Sequence, residues 1–246
     1  MLMLKRILLV LLVMVLVSPV VMASQSDDLT VKAWAKYQRA GGKVTQILHL
    51  ASGVEIRDSS STGFFVNKDG LMLTNCHVVS YPPTMQAITI FGVLEIPVID
   101  CTFIYTNTET GVEYQAKFVA KFKDSDLGTI KVDIDPKDYD AVELGNSDNI
   151  KVGQQVCIMG CPLGEKMGIT SGIISCLRND LGYVPPKGNL MRTDAAIDPG
   201  SSGSIIVDEN LKVIGIINSM IPEAHAMGYG IPINLYNLPF WQTIND

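Results

Sequence analysis

Short runs of alternating apolar and polar residues fill most of the chain after residue 42, and clusters of glycine, asparagine, aspartate or proline separate them. A period of two residues is typical of a β-strand with one buried face. The segments Asn67-Lys68-Asp69-Gly70 and Glu109-Thr110-Gly111 predict hairpin connections. The predicted strands include residues 44–50, 63–66, 71–74, 87–90, 102–105, 114–120, 129–134, 155–159, 170–176, 204–207 and 213–217.

A helical period occurs just before these strands, in residues 29–39. Asp27 or Asp28 can cap this helix, and Gly41-Gly42 is expected to stop it. No helix-length period recurs between the strands, which argues against a parallel α/β sheet. We therefore expect an all-β protein with one short N-terminal helix and two packed antiparallel β-barrels, divided near Asp140.

The first residues have the organisation of an export signal. The basic pair Lys5-Arg6 precedes an uninterrupted apolar run over residues 7–17, and small residues lead up to Ala23. A membrane-spanning helix needs about 20 apolar residues, and Pro19 ends this stretch earlier. We expect residues 1–23 to be a cleaved signal peptide of a secreted or periplasmic protein without stable membrane insertion; an uncleaved anchor is the alternative.

Charge excludes one class of partner. The formal net charge is −6, and loss of two of the 19 basic residues with the signal leaves 17 against 25 acidic residues, or −8. The chain has no basic stripe, so nucleic acid is not expected to bind.

The cysteines do not define a disulfide framework or a metal site. Five is an odd number, so at least one thiol stays unpaired in a monomer. Cys157 and Cys176 lie on neighbouring strand-like segments and can sit opposite each other, whereas Cys157 and Cys161 lack the second ligand pair of a zinc site. We expect no metal, no cofactor and no specific disulfide. Burial as small hydrophobes is an equally good interpretation of Cys76, Cys101, Cys157, Cys161 and Cys176.

Candidate chemistry centres on Ser202. Residues 193–204 surround it with small side chains in a Gly-x-Ser-Gly turn, which can leave a serine hydroxyl unhindered and aim backbone N–H groups at an oxyanion. His77 follows an alternating strand that ends in a polar turn, and such a position can hold an imidazole at the edge of a cleft. His49 and His225 are interpreted as structural.

A carboxylate can complete this pair. Asp126 opens a strand-like run and can accept a hydrogen bond from the Nδ1–H of His77, and Asp124 is a competitor for that role. The order histidine, aspartate, serine is that of the chymotrypsin type, and it differs from the subtilisin and α/β-hydrolase orders.

These residues belong to a longer series of blocks that occur in one order along the chain: residues 61–70, 74–79, 124–127, 144–147, 152–154, 160–164, 170–175, 193–204, 213–216 and 229–232. Through these blocks the chain resembles the chymotrypsin-like serine proteases, and most closely their bacterial HtrA-type branch. The resemblance implies two six-stranded antiparallel barrels, over about 43–140 and 141–236, within a protease domain at 43–246 that follows a helical segment at 24–42.

The resemblance also implies the role of each candidate. His77 is expected to be the general base, Asp126 rather than Asp124 its orienting carboxylate, and Ser202 the nucleophile. The backbone N–H groups of Gly200 and Ser202 are expected to form the oxyanion hole. The sequence departs from the branch at positions that are not members of this triad, namely Cys76, Cys161, Ser201 and Ser204.

Substrate preference follows from aligned positions. Ala196 is expected at the floor of the pocket for the substrate side chain, where a trypsin needs an aspartate, so cleavage after Lys or Arg is not expected. Asn218, Ser219 and Met220 are expected to form the pocket wall opposite Gly228. This favours small or medium apolar residues. Glutamate is less favoured, because Ile217 stands where glutamyl endopeptidases carry histidine.

We therefore expect an exported serine endopeptidase that acts on polypeptides, including unfolded ones, through an acyl-enzyme. A catalytically silent polypeptide-binding protein and an esterase are the alternatives. From the position of Asp246 soon after the second barrel, we expect a protease domain only, without the peptide-binding PDZ domain of many HtrA-type proteins. The long stretch 78–123 is expected to be ordinary lobe structure; an extra hairpin that shapes the cleft or an oligomer contact is the alternative.

Overall fold

The computed structural model describes residues 28–90, 92–178, 190–220 and 227–236. The predicted signal peptide and His225 lie outside these residues, and so do the side chains of Ser219 and Met220. The described part contains α1 (Leu29–Tyr37), β1 (Gly41–Leu50), β2 (Glu55–Phe65), β3 (Leu71–Asn75), β4 (Thr84–Thr89), β5 (Gly92–Thr106), β6 (Glu113–Phe122), β7 (Leu127–Val132), β8 (Gln155–Gly160), β9 (Gly168–Arg178), β10 (Leu190–Thr193), β11 (Ile205–Asp208), β12 (Val213–Met220) and β13 (Gly228–Pro232).

The first barrel has six strands in the order β1-β2-β3-β7-β6-β5, and antiparallel pairing of β1 with β5 closes it. Its interior is filled by large side chains, among them Phe65, Tyr105 and Tyr139, and the ring centroids of Phe65 and Tyr139 are 4.0 Å apart. A seventh strand, β4, lies outside the closed barrel and pairs only with the first part of β5. The long stretch after His77 therefore does form an extra hairpin.

The second barrel closes in the order β10-β13-β12-β11-β8-β9, and buried aliphatic side chains such as Ile158, Ile174 and Ile206 fill it. The all-β expectation of two six-stranded antiparallel barrels with a short N-terminal helix is confirmed. Alternation did not indicate β10 or β13. β10 has only four residues, and β13 contains two glycines and a proline, which have low strand propensity.

The register of the second barrel separates Cys157 and Cys176, which the sequence allowed to sit opposite each other. β8 and β9 form an antiparallel pair, but Cys157 lies opposite Ser171, and Cys176 lies opposite Arg192 of β10. They do not meet because Cys176 lies beyond the part of β9 that β8 reaches. All five thiols are free.

Helix α1 packs against the second barrel. The Asp28 side chain caps it by accepting the N–H of Thr30 at 2.9 Å, as one of the two predicted caps. Ala33 and Tyr37 are buried, and the Tyr37 hydroxyl donates to the carbonyl of Leu211 at 2.7 Å. The face that contains Ala33 and Tyr37 is therefore the one that docks the helix. No helix in the described ranges is long and apolar enough to cross a membrane.

The two glycines expected to stop α1 have a different role. The helix ends at Tyr37, and Gly41 and Gly42 begin β1. A Cβ on Gly41 would lie 2.5 Å from the carbonyl oxygen of Gly63, and one on Gly42 would lie 2.6 Å from that of Thr106. Side chains are excluded there because the strands on both sides approach too closely.

A shared hydrophobic cluster joins the two barrels. Phe64, Leu73 and Leu127 from the first barrel pack in one buried cluster with Met159 and Ile205 from the second. Burial of apolar surface is the main stabilising contribution in a fold of this kind. The segment between β7 and β8, which contains Asp140, connects the barrels along the chain.

Tyr139 supplies a test of the first barrel, because its buried hydroxyl accepts the N–H of Gly70 at 2.7 Å. We expect Tyr139→Phe to lower the free energy of unfolding by about 1–3 kcal/mol, since it leaves that N–H buried without a partner. Urea unfolding followed by circular dichroism measures this. Tyr81→Phe, at a side chain that is 43% exposed, is the matched control and should cost nothing measurable; equal losses in both variants would contradict the assignment.

Candidate active site

His77 stands where the first barrel opens towards the second. β3 ends at Asn75, which lies opposite Leu127 of β7, and a short 3₁₀ turn begins at His77. This register brings His77 next to Asp126, the residue before β7. The imidazole Nδ1 lies 2.8 Å from Oδ2 of Asp126, and the backbone N–H of His77 donates to Oδ1 at 2.9 Å. The His77 side chain is about half exposed.

Asp126 is held firmly in an unusual backbone conformation. Its φ of 49° is in the left-handed region, which non-glycine residues rarely adopt. Its carbonyl accepts the N–H of Cys76 at 2.9 Å and the side-chain amide of Asn75 at 3.3 Å. The carboxyl group is almost fully buried and lies against the imidazole, so the carboxylate in contact with His77 is that of Asp126.

Asn218 adds a contact from the second barrel. Its side-chain amide donates to Oδ2 of Asp126, the same oxygen that faces Nδ1 of His77. Asn218 was expected in the wall of the substrate pocket, but its side chain is buried against this carboxylate. The Asp126 carboxylate thus joins side chains from both barrels.

Ser202 lies in the turn formed by residues 198–204, here called the serine turn, between β10 and β11. Gly200 and Gly203 have φ values of 92° and 87°, which favour glycine. The Ser202 hydroxyl is partly exposed and donates to the carbonyl of Asn218 at 3.2 Å. No hydrogen bond joins it to His77 in the described structure. Catalytic hydrogen bonds are commonly long or misaligned in the absence of substrate.

The serine turn leaves two backbone donors unused. The N–H groups of Ser201 and Gly203 donate to the carbonyls of Asp198 and Ile217, at 3.0 and 2.9 Å. Within the described ranges, the N–H groups of Gly200 and Ser202 have no protein acceptor. These are the two groups expected to bind an oxyanion.

Thr62 of β2 holds this turn, and the sequence analysis did not identify it. Its backbone N–H donates to the Ser202 carbonyl at 2.8 Å, and its hydroxyl donates to the Gly200 carbonyl at 3.1 Å. The same hydroxyl oxygen accepts the N–H of Cys161 at 2.8 Å and lies 3.4 Å from the hydroxyl of Ser204. The only signal in the sequence was its place in the matching block 61–70.

The turn before β9 holds the serine turn from the other side, at Pro199. The N–H of Leu163 donates to the carbonyl of Pro199 at 2.6 Å, and Leu163 has a left-handed φ of 55°. The carbonyls on both sides of the Gly200 N–H are therefore bound by groups outside the serine turn. Burial raises the pKa of the nearby Cys161 thiol to about 12, so this thiol stays neutral and is a poor nucleophile.

The residues expected to form the substrate pocket differ in burial and in their contacts. Ala196 is exposed, and its carbonyl accepts the hydroxyl of Thr170 at 3.0 Å. Gly228 is buried, and a Cβ there would lie 1.9 Å from Cδ1 of Ile197. Ile197, which the sequence analysis did not single out, thus occupies the space beside Gly228. Ser219 follows Asn218 on β12, and Met220 lies opposite Gly228 in the strand register.

Known proteins share this sequence pattern. Residues 61–216 match the family described as the trypsin-like peptidase domain. A probable periplasmic serine endoprotease, DegP-like, of Pseudomonas fulva is 35% identical over 183 residues, which are 72% of this chain and 33% of that protein. The similarly named protein of Halomonas elongata is 33% identical over 187 residues, or 74% of this chain and 34% of that protein. The chain spans about a third of the length of these curated relatives.

A solved structure shares the fold. The HtrA-type protease AlgW with a tripeptide is 26% identical, with a TM-score of 0.67, and the similarity covers 88% of this chain and 64% of that one. The match to the family includes 156 of the 246 residues, counted from 61 to 216, and all three candidate residues His77, Asp126 and Ser202. The chain therefore belongs to the trypsin-like peptidase domain family and is similar to its HtrA-type members.

Proposed function

We propose that this chain is a serine endopeptidase that hydrolyses peptide bonds through an acyl-enzyme. One arrangement carries the proposal: the imidazole of His77, paired with Asp126, belongs to the first barrel, and Ser202 belongs to the second. Among the residues that the structure describes, the N–H groups of Gly200 and Ser202 beside it have no acceptor. Family membership supports the same conclusion.

Each residue has a defined role in this reaction. His77 accepts the proton of the Ser202 hydroxyl as Oγ attacks the peptide carbonyl, and then delivers it to the leaving amine. The negative oxygen of the tetrahedral intermediate accepts hydrogen bonds from Gly200 and Ser202, which are preorganised and need no rearrangement. Water then attacks the acyl-enzyme. His77 accepts the proton of the water and returns a proton to Ser202 as the acyl group is released.

Asp126 and Asn218 act on the imidazole. Asp126 accepts the Nδ1–H of His77, which keeps the other ring nitrogen free for the serine and stabilises the imidazolium. Asn218 is a positioning residue, because its amide donates to the same carboxylate oxygen and limits the rotation of the carboxyl group. The Asn218 carbonyl holds the Ser202 hydroxyl in the substrate-free state, so the hydroxyl must turn towards His77 before attack.

The pocket supports cleavage after small or medium apolar residues. Ala196 offers no carboxylate for a Lys or Arg side chain, and Ile197 fills the space beside Gly228. Long substrate side chains are therefore disfavoured because Ile197 limits the volume of the pocket. Basic substrate side chains are disfavoured because Ala196 provides no carboxylate to pair with them.

The compartment and substrates follow from the signal segment and the relatives. Several relatives are named periplasmic serine endoproteases, and the solved AlgW structure contains a tripeptide. Together with the export signal over residues 1–23, this supports an exported protease that acts on polypeptides, including unfolded ones.

Covalent labelling tests the proposed reaction. We expect a fluorophosphonate to label the wild-type protein, and Ser202→Ala to abolish both labelling and peptide hydrolysis, with a loss in kcat of about 10⁴-fold or more. Ser59→Ala, an exposed serine of β2, is the control and should change neither. A folded wild-type protein that is not labelled would leave a polypeptide-binding role. Ester turnover without peptide cleavage would indicate an esterase.

Thr62→Val tests whether the Thr62 hydroxyl positions the serine turn for catalysis. The variant keeps the side-chain shape and removes the hydroxyl that contacts Gly200 and Cys161. We expect kcat to fall about 10- to 100-fold with little change in KM, the equivalent of one lost buried hydrogen bond of about 1–3 kcal/mol. Thr62→Ser should restore most of kcat. Thr45→Val, at a buried threonine of β1, controls for the general effect on folding. An unchanged kcat in Thr62→Val would exclude this role.

Ile197→Ala tests the pocket. We expect the ratio of kcat/KM for a substrate with Phe before the cleaved bond to that for one with Val to rise about tenfold or more, since the variant vacates space beside Gly228. Profiling with a peptide library measures this ratio. Ile150→Ala, which packs on the same core, is the control. A preference that stays constant would show that Ile197 does not limit the pocket.

A further inference from the structure

The hairpin ribbon formed by β4 and the first part of β5, residues 84–97, extends beyond the first barrel. Its base is anchored, because Met85 and Ile96 pack in a small cluster with Leu48 and Leu50 of β1. Towards the tip the side chains are uncovered: Ile88 is 91% and Ile90 94% exposed, and Val93 and Leu94 are also largely exposed. Ile88 and its cross-strand neighbour Val93 lie on one face of the ribbon and Leu94 on the other. Exposed apolar side chains concentrated on one segment are typical of an interaction site.

One edge of this ribbon is open. The N–H of Val98 donates to the carbonyl of Pro83 at 2.9 Å, which sets the alternation of hydrogen bonds between β4 and β5. In an antiparallel pair every second residue bonds to the neighbouring strand, so Thr84, Gln86 and Ile88 direct their N–H and C=O groups away from β5. No strand of the described part pairs with this edge.

The usual protection of an open edge is missing. Natural proteins place charged residues or proline on such strands to prevent pairing with another chain. Residues 78–94 contain no Asp, Glu, Lys, Arg or His, although the chain has 25 acidic and 19 basic residues. Proline occurs before β4, at Pro82 and Pro83, and not within it.

We propose that β4 is the surface through which two copies of this chain associate. The two β4 strands pair antiparallel about a two-fold axis at Gln86, so that Thr84 of one copy lies opposite Ile88 of the other. Three residue pairs then exchange about six backbone hydrogen bonds. The contact uses the same patch on both copies, as a closed dimer requires. This inference does not depend on the proposed hydrolytic activity.

Charge and hydrogen bonding favour a second copy over other partners. Each copy carries a net charge of −6, so two copies repel over most of their surface and approach most easily at an uncharged segment. The open edge carries both donors and acceptors, so in an antiparallel pair about Gln86 each outward N–H of one copy meets an outward C=O of the other. A lipid bilayer covers apolar side chains but cannot satisfy the open N–H and C=O groups.

Gln86→Pro tests the pairing directly. The N–H of Gln86 points away from β5, so proline removes no hydrogen bond of the ribbon but blocks the partner strand. In sedimentation-velocity experiments over a wide concentration range, we expect wild type and the matched control Gln86→Ala to dimerise. Gln86→Pro should raise the dimer Kd by about a hundredfold or more.

A second variant and two further measurements complete the test. Ile88→Lys adds a charge at the edge and should weaken the dimer as strongly as Gln86→Pro, whereas the urea midpoint and fluorophosphonate labelling of both variants should match wild type. A monomeric wild type, or equal dimerisation of Gln86→Pro and Gln86→Ala, would overturn the proposal. Flotation with phosphatidylethanolamine–phosphatidylglycerol vesicles that requires Ile88, without dimer formation, would assign the ribbon to a membrane surface and also overturn it.

Discussion

The hydrogen bond from the N–H of Thr62 to the carbonyl of Ser202, at 2.8 Å, is the contact on which the geometry of the cleft depends. It joins a strand of the first barrel to the serine turn of the second. The hydroxyl of Thr62 binds the carbonyl of Gly200 two residues away, so one residue holds the backbone at both proposed oxyanion donors, through its N–H and its side chain. The approach is so close that a Cβ on Gly203 would lie 1.9 Å from the Thr62 carbonyl oxygen.

Asp126 provides the second link between the barrels. Its left-handed backbone conformation has a cost on the order of 1–2 kcal/mol, and hydrogen bonds to its carbonyl and carboxylate offset it. The carboxylate contacts His77 from the first barrel and Asn218 from the second. The orientation of the imidazole therefore depends on how the barrels pack, and the shared cluster around Phe64, Leu127 and Met159 maintains that packing.

The ribbon that contains β4 is subject to a different constraint. Pairing of β1 with β5 closes the first barrel without β4, so this strand is not required to complete the core. Beyond Met85 its side chains are mostly exposed, and no strand in the described part of the chain pairs with its outer edge. The proposed catalytic cleft and the proposed dimer edge thus depend on opposite properties of one barrel. Closure of the barrel positions the cleft, and the strand left outside it supplies the contact.

The sequence by itself determined the strands with clear alternation, the capped helix, the order of His77, Asp126 and Ser202, and the small-residue turn. These features are local, since periodicity and turn composition are readable within a few residues. Tertiary structure alone decided the roles of Thr62, Asn218 and Ile197, the separation of Cys157 from Cys176, and the need for glycine at positions 41 and 42. Each of these depends on strand register or on the approach of distant segments, and no short window of sequence records which side chain will meet which partner.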